Sequence, residues 1–171
     1  DTIAAGDGLC NLEAVRTLVE EGPERIQELI DWGAEFDRDG SKLLFAREAA
    51  HSRSRVLHAH GDSTGREITR ALYHKAASLP AVEFRSFAAV IDVMMAEGRA
   101  AGAYVLDESS GGLIPIHARA VLLATGGMGH IYRDTTNPDV ATGDGVAAAW
   151  RCGATVGDLE FVQFHPTALH V

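Results

Sequence analysis

The sequence predicts an α/β fold made of helices, a β-meander and a fully buried strand. Three observations predict it. Apolar residues recur at helical spacing in residues 9–33 and again after residue 63. Apolar and β-branched runs separated by glycine and serine turns follow between residues 81 and 118. The run Ala120-Val121-Leu122-Leu123-Ala124 is apolar throughout, as expected of a strand covered on both faces.

The elements follow in order. Leu12, Val15, Leu18 and Val19 share one helical face, as do Ile26, Leu29 and Ile30. Gly22-Pro23 predicts a break into two helices, with Pro23 in the first turn of the second. Gly33 is the expected C-terminal cap, with Trp32 and Phe36 packed under the turn. Residues 37–64 are polar and read as irregular, apart from the short run Leu43-Leu44-Phe45. Ser63 or Thr64 should cap a helix with Glu67 reaching back to it. That helix carries Ile68, Leu72 and Ala76 and ends near Pro80. Strands are expected at Val82–Phe84, Ala88–Ala96, Ala103–Leu106 and Leu113–His117, with turns at Gly98–Gly102 and Ser109–Gly112. Gly143-Asp144-Gly145 opens a helix through Trp150, and a last strand runs from Leu159 to His165.

The chain has 171 residues, 46% of them hydrophobic and 23% charged, which suits one soluble core. Its 24 acidic and 15 basic residues leave a net charge of −9. That sign argues against nucleic acid, which calls for a basic face, and against an anionic membrane surface. No apolar run approaches the roughly 18 residues of a membrane span. Cys10 and Cys152 are too few and too far apart for a zinc site or a disulfide framework, so they read as reduced, buried thiols in a cytoplasmic protein. The polar start without Met and the open ending at Val171 suggest an internal piece of a longer protein.

Four stretches carry possible chemistry. The buried run ends in Thr125-Gly126-Gly127, where backbone can approach a ligand that a Cβ would repel. A tight turn with no ligand uses the same residues. Thr142-Gly143-Asp144-Gly145 presents free N–H groups and a carboxylate at a helix start, which suits a polyol hydroxyl or simple capping. In Leu159–Thr167, strand alternation would point Gln163 and His165 to one face, two polar groups suited to a carboxylate. A histidine there can also be purely structural. The stretch Arg47-Glu48 to Arg55 could neutralise an acid through its Arg and His residues and hold an amine through Glu48, or be a solvated loop.

In this order the motifs resemble the flavoprotein subunits of the succinate dehydrogenase and fumarate reductase superfamily, and within it the L-aspartate oxidase family. The residues that carry the resemblance are Arg47-Glu48 with His51-Ser52, Ala59-His60-Gly61-Asp62-Ser63-Thr64-Gly65-Arg66-Glu67, Leu123 to Gly127, Thr136-Asn137-Pro138-Asp139, Thr142 to Gly145, and Leu159-Glu160-Phe161 with Gln163 to Leu169. Ala49-Ala50 stand where the family often has two glycines.

The resemblance implies part of an FAD/NAD(P)-binding, Rossmann-like domain without its N-terminal dinucleotide motif, and with the capping domain starting at or beyond residue 171. It implies FAD as cofactor. Asp144 would bind its polyol chain or flavin edge, Thr125, Gly126 and Gly127 would lie near the phosphates, and Ala88 and Ala89 would touch the adenine. Gln163 and His165 would hold a substrate carboxylate, and Glu48 the amino group of L-aspartate. Fumarate is the other small dicarboxylate implied. The implied reaction is oxidation of L-aspartate to iminoaspartate, which feeds NAD synthesis. The family's proton-handling arginine lies later in the chain, so no catalytic residue is expected within these 171, nor activity or firm FAD affinity from them alone. Exposed sheet surface would favour self-association. The alternatives are a succinate dehydrogenase or fumarate reductase flavoprotein, and a non-catalytic binding module.

Overall fold

The computed structural model describes residues 1–48, 50–61 and 63–163. It divides into two compact units, Asp1–Phe84 and a second beginning at Arg85.

In the first unit a short helix α1 (Thr2–Ala5) precedes the long helix α2 (Leu12–Asp31). Asn11 caps α2, its Oδ1 accepting from the N–H groups of Glu13 (3.0 Å) and Ala14 (3.1 Å). The expected break at Gly22-Pro23 does not occur; Pro23 lies inside one continuous helix. Proline removes one N–H and crowds the preceding turn, but the helix on both sides absorbs that loss. The two halves do differ in burial. Ile26, Leu29 and Ile30 pack on the core, whereas Leu12, Leu18 and Val19 before the proline are exposed.

Gly33 ends α2 as expected, with φ of +93°. Its N–H donates to the Ile30 carbonyl and the Ala34 N–H to the Leu29 carbonyl, both closing the helix end. Phe36 is buried beneath this turn, but Trp32 is exposed, with the Lys75 Nζ 5.9 Å from its ring centroid.

The segment read as irregular forms two small antiparallel pairs. Strands β1 (Arg38–Asp39) and β2 (Lys42–Leu43) make one, β3 (Phe45–Ala46) and β4 (Val56–Leu57) the other. Helix α3 (Thr64–Ala77) follows. The core of this unit is Ala34, Phe36, Ala59 and Ala71, flanked by Ile26, Leu29, Ile30, Leu43, Leu57 and Ile68. Leu72, placed on the buried face by its spacing, is exposed, and Ala71 takes the buried position.

The capping reading of Glu67 is also corrected. Ser63 makes no side-chain cap, and the Thr64 hydroxyl accepts from the Ala59 N–H at 3.1 Å. The Glu67 carboxylate, 5% exposed, instead accepts from the Glu35 N–H (2.7 Å) and from Arg70 Nε (2.8 Å). Arg70 in turn donates to the Gly33 carbonyl at 2.7 Å. One buried carboxylate thus fastens α3 to the turn after α2. Those bonds hold the carboxyl down at about 2, Arg70 contributing most and the Glu35 N–H next, against the opposing effect of burial.

The second unit is a three-stranded antiparallel meander in the order β5 (Ala88–Ala96), β6 (Arg99–Asp107), β7 (Gly112–His117). The expected strands are present and so is the turn before Gly112, but the turn expected at Gly98–Gly102 is confined to Glu97-Gly98, because residues 99–102 extend β6. Pro115, which cannot donate, lies on edge strand β7. The register slips at Ile91 and again between Met94 and Met95. The Ile91 carbonyl accepts from the Arg151 guanidinium at 2.9 Å, and Arg151 Nε also bonds Asp92 at 2.9 Å. These two bonds tie helix α4 (Asp144–Arg151) to β5.

Two expected strands are not strands, nor is the described part of a third. Val82–Phe84 forms no ladder. Residues 120–124 pair with nothing described, and Leu122 is 89% exposed rather than buried. A parallel strand needs neighbours on both sides, and among the described residues every pairing is antiparallel and made elsewhere. In the described part of the last segment, Leu159 and Glu160 form a turn and residues 161–163 join no strand. Asp158 takes a left-handed φ of +57°, its carbonyl accepts from the Phe161 N–H at 3.1 Å, and the Glu160 carbonyl accepts from the Val162 N–H at 2.9 Å. Backbone groups spent locally are not available to a ladder. Both cysteines are free and half-buried rather than fully buried.

Candidate functional site

Of the site residues of the second unit, Thr125 and Asp144 come together where the loop 125–131 meets the start of α4. Gly143, with φ of +76°, turns the chain into the helix. A Cβ on Gly145 would collide with the Thr125 side chain, 2.7 Å from its Cβ, and one on Gly143 would stand 2.8 Å from Met128 Cβ. The Thr125 and Met128 side chains therefore pack directly on the backbone of the helix start, an approach that only glycine permits. The His130 N–H donates to the Ala141 carbonyl at 2.9 Å and closes the loop.

Gly126 and Gly127 behave differently. Both are exposed, Gly126 with φ of +75°, and a Cβ on either would meet nothing within 4 Å. Their backbone faces open space, so a flat or anionic ligand can come within van der Waals distance of it. The residues present fit the phosphate side of a dinucleotide on this count.

Asp144 stands at the first position of α4 with its carboxylate exposed. It accepts from the Thr142 hydroxyl. That bond, then its own N–H and that of Gly145, lower its pKa below the ordinary carboxylate range. An anionic acceptor at this point suits a hydroxyl or N–H donor and repels a phosphate. This fits a ribityl chain or flavin edge better than a diphosphate.

Ala88 and Ala89 open edge strand β5 opposite Asp107 and Leu106. Bonded and open positions alternate in an antiparallel pair. Since the Glu108 N–H donates to the Phe87 carbonyl at 3.0 Å, Ala88 turns its polar backbone to the open edge and Ala89 turns towards β6. One of the two alanines is thus free to meet an adenine edge. Gln163 is exposed. His165 lies outside the described residues.

In the first unit Glu48 lies in the loop between β3 and β4, two residues after β3, and is half-exposed. The His51 N–H donates to its carbonyl at 3.0 Å, and Arg47 Nε to the His51 carbonyl at 2.9 Å, making a compact turn. His58 Nε2 lies 3.2 Å from Glu48 Oε1. Ser52 and Arg55 bond the carboxylate of Asp1, at 2.8 and 2.9 Å. Spacing alone did not single out His58, because ten residues separate it from Glu48 and only the β3–β4 pairing brings them together. Among the described residues no cluster of His, Cys, Asp or Glu could hold a metal, and no helix is long and apolar enough to cross a membrane.

Residues 1–171 match the family described as FAD binding domain. The chain is 52% identical to the L-aspartate oxidase of Streptomyces coelicolor and 49% identical to that of Synechocystis, in each case over 99% of this chain and 30% of the relative. It spans less than a third of the length of these curated relatives. Among solved structures it superposes on Escherichia coli quinol fumarate reductase FrdA with a TM-score of 0.93 at 32% identity, over 98% of this chain and 29% of that one. It superposes on the Mycobacterium smegmatis Sdh1 complex in its apo form with a TM-score of 0.84, also at 32% identity, over 89% and 28%. The meander, the glycine loop and the Asp144 helix start are therefore parts of a flavoprotein fold, and the chain belongs to the FAD binding domain family, alongside the L-aspartate oxidases and the succinate dehydrogenase and fumarate reductase flavoproteins.

Proposed function

We propose that this chain is the portion of an L-aspartate oxidase that supplies the backbone cradle for FAD and the groups that select the substrate. The reaction of the whole protein is the FAD-dependent oxidation of L-aspartate to iminoaspartate, the first step of de novo NAD biosynthesis. The observation that carries this reading is identity of 44–52% to L-aspartate oxidases, against 32% to the fumarate reductase and Sdh1 chains.

Bound FAD supplies the hydride acceptor. This chain's residues position. Gly126 and Gly127 let backbone approach the phosphate side, Asp144 accepts a cofactor hydroxyl or N–H, and the open edge at Ala88 meets the adenine, with Ala89 beside it. Gln163 and His165 hold one substrate carboxylate. Glu48 pairs with the substrate ammonium, a charge-assisted contact that succinate cannot make. Two fixed ends leave a four-carbon acid one orientation, which is the proximity contribution to rate. Taken alone, the 171 residues are expected to show no turnover and to self-associate through exposed apolar side chains such as Leu122, Val140 and Trp150.

The fit to fumarate reductase favours a second reading, a succinate dehydrogenase or fumarate reductase flavoprotein. One assay separates the two. The full-length protein is purified with FAD, and hydrogen peroxide formation is followed with L-aspartate and with succinate. Aspartate-dependent peroxide is the expected result. Dye reduction by succinate with none by aspartate would move the protein to the dehydrogenase branch.

A further inference from the structure

We infer that His58 is a positioning residue for Glu48, and that it thereby helps select an amino acid over a plain dicarboxylate. The inference rests on the aspartate reading above. His58 Nε2 and Glu48 Oε1 are 3.2 Å apart. Nε2 is the imidazole atom that faces the carboxylate oxygen.

The two partners are held very differently. The His58 carbonyl accepts from the Asp37 N–H at 2.8 Å. Leu57 before it pairs with Phe45 and packs on the core. Ala59 after it is fully buried, and its N–H is bonded to the Thr64 hydroxyl at the start of α3. His58 is therefore anchored from three sides. The Glu48 side chain is 55% exposed, and its described backbone contact is the single turn bond from His51. An anchored imidazole beside an exposed carboxylate restricts rotamers that the carboxylate would otherwise lose on meeting its ligand.

Other charged groups nearby are engaged elsewhere. Arg47 bonds the His51 carbonyl, Arg55 bonds Asp1, and His60 lies towards Glu67. Among the described residues His58 is the basic side chain set against the Glu48 carboxylate. A carboxylate held in this way remains available to a second donor through its other oxygen, which is where a substrate ammonium would bind.

The test uses the full-length, FAD-loaded enzyme and compares the KM for L-aspartate with inhibition by succinate, which has no ammonium group. Glu48→Gln should raise the aspartate KM about tenfold and leave succinate inhibition nearly unchanged. His58→Phe should raise the aspartate KM about three- to fivefold, as expected for a partly exposed pair, with succinate inhibition within about twofold. His58→Gln keeps an N–H near the same point and should recover most of the loss. His58→Phe added to Glu48→Gln should cost nothing further. Equal weakening of aspartate and succinate by His58→Phe would show a merely structural histidine and overturn the inference. So would a silent His58→Phe beside an affected Glu48→Gln. A silent Glu48→Gln would instead remove the substrate role of Glu48, and this inference with it.

Discussion

The meander at 88–117 and the run at 120–124 carry the same kind of apolar residue and reach opposite ends. The meander forms three paired antiparallel strands. The run forms none, and its Leu122 is 89% exposed. The difference is the distance to the partner. Each meander strand meets its neighbour across a short turn, so loop closure costs little. A buried parallel strand must find partners brought from far along the chain. Apolar composition names a residue that wants to be covered; it does not supply the cover. Glu67 shows that a distant joint can form when a buried side chain anchors it, since it links α3 to Glu35 thirty-two residues away.

The largest effect should come from breaking the meander at its closest approach. Gly102 has φ of +147°, and a Cβ there would stand 2.9 Å from the Ile116 carbonyl carbon. Gly102→Val should destabilise the second unit by about 2–4 kcal/mol, through strain and overpacking together. Far-UV circular dichroism during denaturation would read this. A variant that melts with the wild type would mean that β6–β7 pairing does not depend on this contact.

Acid should act next, on the long-range joint. The Glu67 carboxyl is held at about 2, below its free value of 4.5. A depressed carboxylate stabilises the fold above its free pKa. That contribution should be intact at neutral pH and be lost as pH falls from about 4.5 towards 2. Chemical denaturation across this range should show the midpoint dropping, and Glu67→Gln should flatten that part of the profile. An unchanged slope in the variant would remove Glu67 from the account.

The smallest effect is expected in the run itself. Leu122→Asn should change stability by no more than about 0.5 kcal/mol, the usual range for a surface site. In sedimentation at high concentration it should reduce self-association of the 171 residues. A loss of several kcal/mol would show that Leu122 is covered in solution and would erase the contrast with the meander.

Much of the local structure was legible because its signals are local. Ala88–Ala96 is a strand to the residue, and Gly33 closes α2 through the bonds its position suggested. The helix beginning at Asp144 was legible from Gly143 and Gly145 flanking a carboxylate. Pro23 misled, because a proline that would break an isolated helix is tolerated where the flanking turns are long enough to continue. Glu67 misled for another reason. Its spacing from Thr64 suits a capping box, yet the Glu35 N–H and the Arg70 guanidinium offer the carboxylate stronger partners.

By itself the sequence determined the helical stretches of α2, α3 and α4, the meander and the order of motifs that marks the family. These depend on residues within a few places of each other, where propensity, periodicity and turn chemistry act directly. Only the tertiary structure decided which apolar runs are covered, that Thr125 rests against Gly145, that Arg151 clasps the Ile91 bulge, and that His58 meets Glu48. Each of those joins residues separated by ten or more places, and such contacts depend on how the elements pack rather than on what any one stretch prefers.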